Sequence, residues 1–108
     1  MSENTSQIPD VVGFLYVMEG QQKGLIIKLY TGRNTLGTSS ECQIILDDPA
    51  VSAKHGSIRI EDRGEVYQIR DLDSQNGTYV QGENIVRAEL QENDEVIMGQ
   101  TKMKFKML

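Results

Sequence analysis

The chain ends in Thr101-Lys-Met-Lys-Phe-Lys-Met-Leu108, where Met103, Phe105 and Met107 alternate with Lys102, Lys104 and Lys106. Successive side chains of a strand point to opposite faces, so this order yields one apolar and one cationic face, which a helix would scramble. Gly56-Ser-Ile-Arg-Ile-Glu61 repeats the pattern with Ile58 and Ile60. The spacing of an amphipathic helix occurs nowhere. Short runs rich in Val, Ile, Leu and Tyr are instead separated by the turn-forming clusters EGQQKG, EDRGE, SQNGT, QGEN and ENDE. The runs predict strands over 11–18, 24–30, 34–37, 43–46, 56–60, 66–70, 78–80, 84–86, 95–98 and 102–107. Such a series of short strands implies an all-β sandwich.

A length of 108 residues suits one domain with one core. Residues 11–108 carry the strand pattern, and residues 1–10, MSENTSQIPD, read as a flexible polar tail. The net charge is −5 and no run of basic residues occurs, which argues against a nucleic-acid partner. Arg33, in Thr31-Gly-Arg-Asn34, reads as a turn residue. The longest apolar run, residues 11–18, is far shorter than the roughly 20 residues that a bilayer-spanning helix needs, so no membrane insertion is expected. The first ten residues have neither the basic nor the apolar region of a signal peptide. Cys42 has no cysteine to pair with, which fits a reducing compartment, and a cytoplasmic location is expected. One histidine and one cysteine make a poor zinc set, and no metal or cofactor is expected.

Two motifs carry the most chemistry. Ser52-Ala-Lys-His55 follows Leu46-Asp-Asp-Pro-Ala-Val51, and Ser74-Gln-Asn-Gly-Thr78 sits within Asp71-Leu-Asp-Ser-Gln-Asn-Gly-Thr-Tyr-Val-Gln-Gly82. A Ser-His-Asp triad could be drawn through Ser52, His55 and Asp71 or Asp73. No nucleophile elbow accompanies them, however, and the chain is read as having no catalysis of its own. With Leu36-Gly37 before the motifs and Glu92-Asn-Asp-Glu-Val-Ile-Met-Gly99 after them, the order resembles the forkhead-associated domain over about residues 12–108.

That resemblance implies an eleven-stranded antiparallel β-sandwich whose loops at one end bind phosphothreonine in a partner peptide. A phosphate brings about −1.5 to −2 charge and three acceptor oxygens, and loop donors with a guanidinium among them suit it best. Carried over by position, Thr38, Ser39, Ser52, Lys54, Ser74, Asn76, Thr78 and Gln81 would form the peptide- or phosphate-binding loops. Gly37, His55 and Gly77 would support those loops, with Gly77 in a tight Asn-Gly turn at positive φ.

The sequence departs from the family where the phosphate would sit. Thr38 stands where the family has arginine, Ala53 where a basic residue often follows the serine, and Gln81 where a second asparagine is usual. Glu41, Asp47, Asp48, Asp71 and Asp73 outnumber Lys54 and Arg70 in the three loops. The expectation is a protein-interaction module with lost or weakened phosphothreonine recognition, binding a protein or peptide partner or a second copy of itself. One alternative is a phosphothreonine reader using non-standard donors. Its ligand could include the chain's own Thr5, since Ile8 lies three residues further on, as in ligands the family reads. Another is a regulatory domain of a larger signalling enzyme, such as a nucleotide cyclase or a kinase.

Overall fold

In the computed structural model, residues 10–62 and 64–108 are described, so Thr5 and most of the expected tail lie outside the described residues. Eleven strands follow in chain order: β1 Val11–Glu19, β2 Ile26–Tyr30, β3 Gly32–Gly37, β4 Ile44–Ile45, β5 Gly56–Glu61, β6 Val66–Asp71, β7 Thr78–Val80, β8 Glu83–Ile85, β9 Arg87–Glu89, β10 Glu95–Met98 and β11 Thr101–Met107. They form a six-stranded sheet, β2-β1-β11-β10-β7-β8, and a five-stranded sheet, β4-β3-β5-β6-β9. The expected all-β sandwich is therefore observed, with one departure from antiparallel order. The loop after β3 doubles back, and the two-residue β4 runs parallel to it, Leu36 opposite Ile44.

Alternation places the core between the sheets. Leu15 and Val17 of β1, Leu36 of β3, Ile58 and Ile60 of β5, Ile69 of β6, Met98 of β10, and Met103 and Phe105 of β11 are fully buried. Phe105 meets Tyr67 edge to face at 5.0 Å between ring centroids, and the Tyr67 hydroxyl donates to the Val12 carbonyl at 2.8 Å, tying one sheet to the other. Met107 is the exception in the last strand. It is 39% exposed, because β11 outruns the core there.

The chain passes between the sheets four times, and two of these passages, β2–β3 and β8–β9, are short corners. At Thr31-Gly32, between β2 and β3, Gly32 takes φ 98°. The corner is fastened by the buried Asn34, whose side-chain oxygen accepts from Tyr30 N–H and whose amide donates to the carbonyls of Tyr30 and Ile58. Arg33 therefore lies within β3, opposite Arg59, and not in the turn. The second corner is Val86, 80% exposed between β8 and β9. The strand expected over 84–86 is β8, which ends before Val86, and β9, in the other sheet, has no counterpart among the expected strands.

Candidate functional site

The loops after β3, β4 and β6 meet at one end of the sandwich, and His55 is the pin. The imidazole is fully buried. Its Nδ1 accepts from the Ser52 N–H at 3.0 Å, which leaves Nε2 to carry the proton and donate to the Gly77 carbonyl at 2.8 Å. Ser52 reaches the same loop, its Oγ accepting from the Gln75 N–H at 2.9 Å. Toward the β3–β4 loop, the carbonyls of Ser52 and Ala53 accept from Thr38 and Ser39 N–H, both at 3.1 Å. Gly37 permits this approach, since a Cβ there would lie 2.0 Å from the Ala53 carbonyl oxygen.

The β6–β7 loop is wound around Asp71. Its carboxylate accepts from the Ser74 hydroxyl and N–H at 2.5 and 3.1 Å and from the Thr78 hydroxyl at 2.7 Å. Ser74 Oγ in turn accepts from Gly77 N–H at 2.9 Å, and Gly77 takes φ 86°. A second carboxylate, Asp48, is buried beneath the β4–β5 loop. It accepts from Ala50 N–H, Gln100 N–H and the Thr101 hydroxyl, fastening that loop to the β10–β11 turn.

For both carboxylates burial raises the pKa, but hydrogen bonds outweigh it and hold the group below its ordinary value. The bonds come from Thr101, Ala50 and Gln100 at Asp48, and from Ser74 and Thr78 at Asp71. The stability they contribute is complete above the unfolded carboxylate pKa near about 4 and is lost as the pH falls through the depressed folded values. The carboxylate contribution to the urea midpoint is therefore expected to be lost below about pH 4, the fall there being shallower in Asp48→Asn and Asp71→Asn.

The residues inferred from sequence separate into groups. Thr38 and Asn76 are exposed at the loop surface, with Ser39 and Ser52 half-buried beside them. Asn76 donates its amide to the Ala50 carbonyl at 2.8 Å, leaving its side-chain oxygen for a ligand N–H. Ser74 and Thr78 both give their hydroxyl protons to Asp71, Thr78 being fully buried and Ser74 half-buried. Gln81 is not brought to the cluster. It lies at the other end of β7, where its backbone N–H and side-chain oxygen bond Glu95. Asn84 belongs to neither sequence motif. Its side-chain oxygen lies 3.2 Å from where a Gly77 Cβ would be, beside the Asn76-Gly77 turn. The strand pairing Thr78↔Ile85 and Tyr79↔Asn84 puts it there, and its sequence separation conceals it.

The charge at this end does not favour an anion. Lys54 is exposed and paired with Glu41 at 3.6 Å. Asp48 and Asp71 point inward to their hydrogen-bond donors, so the ligand-facing acids are fewer than the sequence suggests. No guanidinium occupies position 38. Below the loops, a recess of about 260 Å³ is lined by Arg33, Thr35, Glu41, Cys42, Lys54 and Leu72.

A two-sheet sandwich with Ser-x-x-His and Ser-x-Asn-Gly-Thr loops joined at one end is the architecture of a forkhead-associated module. A solved forkhead-associated domain, studied for phosphothreonine-dependent interactions, superposes with a TM-score of 0.81 at 28% identity, covering 90% of this chain and 97% of that one. The glycogen accumulation regulator GarA of Mycolicibacterium smegmatis is 34% identical over 98 residues, 91% of this chain and 61% of that protein. The oxoglutarate dehydrogenase inhibitor of Corynebacterium glutamicum is 33% identical over 104 residues, 96% of this chain and 71% of that protein. The family model described as "Inner membrane component of T3SS, cytoplasmic domain" matches residues 16–107. The chain belongs to that family, whose fold is that of the forkhead-associated domain. Among the described residues, no helix is long and apolar enough to cross a membrane.

Proposed function

We propose that this chain is a non-catalytic, cytoplasmic interaction module that recognises a protein segment at its loop end without a phosphate clamp. The carrying observation is Thr38: the position that would present a guanidinium presents a hydroxyl, and the nearby Lys54 is already paired with Glu41. A hydrogen bond to a charged group contributes about 1.5–3 kcal/mol, so losing the arginine alone lowers phosphate affinity on the order of tenfold to a hundredfold. Thr38, Ser39, Ser52 and Asn76 remain as neutral contacts, with Asn76 suited to a peptide backbone. Gly37, His55 and Gly77 hold the loops in place.

The names of the regulator and inhibitor relatives favour control of an enzyme by binding, in which this chain would be the docking part. A second reading, phosphothreonine recognition through non-standard donors, is favoured by the recess that Arg33 shares with Lys54. In that reading a phosphorylated Thr5 of the proposed tail would be one ligand. Titration with phosphothreonine and plain-threonine peptides, residues 1–10 among them, separates the two. Equal affinity supports the first reading, and a strong preference for phosphate supports the second.

A further inference from the structure

The five-stranded sheet assembles a basic stripe that the sequence disperses. On its outer face Arg33 of β3 stands directly opposite Arg59 of β5. Arg59 is opposite Gln68 of β6, Arg70 follows two residues later on the same face, and Arg70 is directly opposite Arg87 of β9. All four are exposed, in a chain whose net charge is −5. Like charges directly opposite in a ladder destabilise it, and this face holds two such pairs, so the fold gains nothing from them.

On the same face of these strands stand Glu61 and Glu89, and Glu41 and Lys54 border Arg33 in the adjoining recess. Glu61 pairs with Arg59 at 3.1 Å. Among the described residues, Arg33, Arg70 and Arg87 form no ion pair. Between the arginines lies a recess of about 160 Å³, lined by Arg33, Ser57, Arg59, Gln68 and Arg70. Ser57 is 6% exposed at its floor. Guanidinium forks around a hydroxyl and an amide suit a carboxylate, which accepts two parallel N–H bonds.

We infer that this face is a second docking surface, for an extended carboxylate-rich segment of a partner protein. Strands about 4.8 Å apart, with a two-residue offset, stretch the diagonal from Arg33 to Arg87 over roughly 16 Å, which about five extended residues span. Glu61 and Glu89 repel acidic side chains beside the diagonal and so restrict the path to it. The surface is separate from the loop contacts of Thr38 and Asn76, and meets the recess of the phosphate-reading alternative only at Arg33.

The test is fluorescence anisotropy with a labelled hexaglutamate peptide at about 50 and about 300 mM salt. Arg33→Thr/Arg70→Thr is compared with Lys28→Thr/Lys104→Thr, which removes the same charge from the other sheet. The expected result is salt-sensitive binding that the arginine variant weakens at least about tenfold and the lysine variant leaves within about twofold. The arginine variant is also expected to unfold at the same temperature as wild type or higher. Equal losses in both variants would reduce the effect to net charge and overturn the inference. So would a large fall in unfolding temperature with binding intact, which would make the arginines structural. Tighter arginine-dependent binding of a short oligothymidylate, or of phosphatidylcholine/phosphatidylglycerol vesicles, would also overturn it by assigning the face to nucleic acid or to membrane.

Discussion

Gly37→Ala lowers the unfolding free energy by about 3 kcal/mol or more, at the upper end for overpacking, because the conflict is with backbone. The added methyl would sit 2.0 Å from the Ala53 carbonyl oxygen and 3.0 Å from Cys42 Sγ. A flexible side chain could swing aside, but this carbonyl also accepts from Ser39 N–H and Cys42 Sγ. Relief requires the β3 end and the 52–54 segment to part, which also loses the bond from Thr38 N–H to Ser52. The unfolding temperature should drop by roughly 10–20 °C. Serine should behave like alanine, since the Cβ alone makes the clash. A variant within about 1 kcal/mol of wild type would mean that the two segments are not held this close.

His55→Ala has the second-largest expected effect, about 2–4 kcal/mol, from a buried cavity and two polar groups left without partners. Those groups are the Ser52 N–H and the Gly77 carbonyl, on different loops. Amide exchange in residues 50–54 and 74–78 should accelerate more than in β1 and β11, whose pairing is remote from the imidazole. Chemical denaturation and hydrogen exchange together check this. A uniform rise in exchange would mean that His55 stabilises the sandwich generally rather than pinning its loops.

Where alternation is local, the sequence is legible. Ile58 and Ile60 are buried as their order implies, as are Met103 and Phe105. Long-range geometry hides what remains. The 83–89 segment has too few apolar residues to show that Val86 divides it between two sheets. Arg33 looks like part of a turn because Gly32 precedes it, yet the turn ends at that glycine. Ser74 and Thr78 carry the right chemistry for ligand contact, but Asp71, on the preceding strand, takes both hydroxyls. Gln81 follows Asn76 closely in sequence, and the direction of β7 carries it to the opposite end. The arginine stripe becomes visible only once strand order and register are fixed.

Loss of the phosphate clamp at position 38 is tested most directly by titrating wild type and Thr38→Arg with paired phosphothreonine and plain-threonine peptides. The backbone at Thr38 is already held by its N–H bond to Ser52, so an arginine there would project from a fixed loop. Wild type is expected to bind the two peptides alike, and Thr38→Arg to gain about tenfold or more for the phosphopeptide alone. Wild type preferring the phosphopeptide by about a hundredfold would contradict it and place an intact clamp elsewhere in these loops.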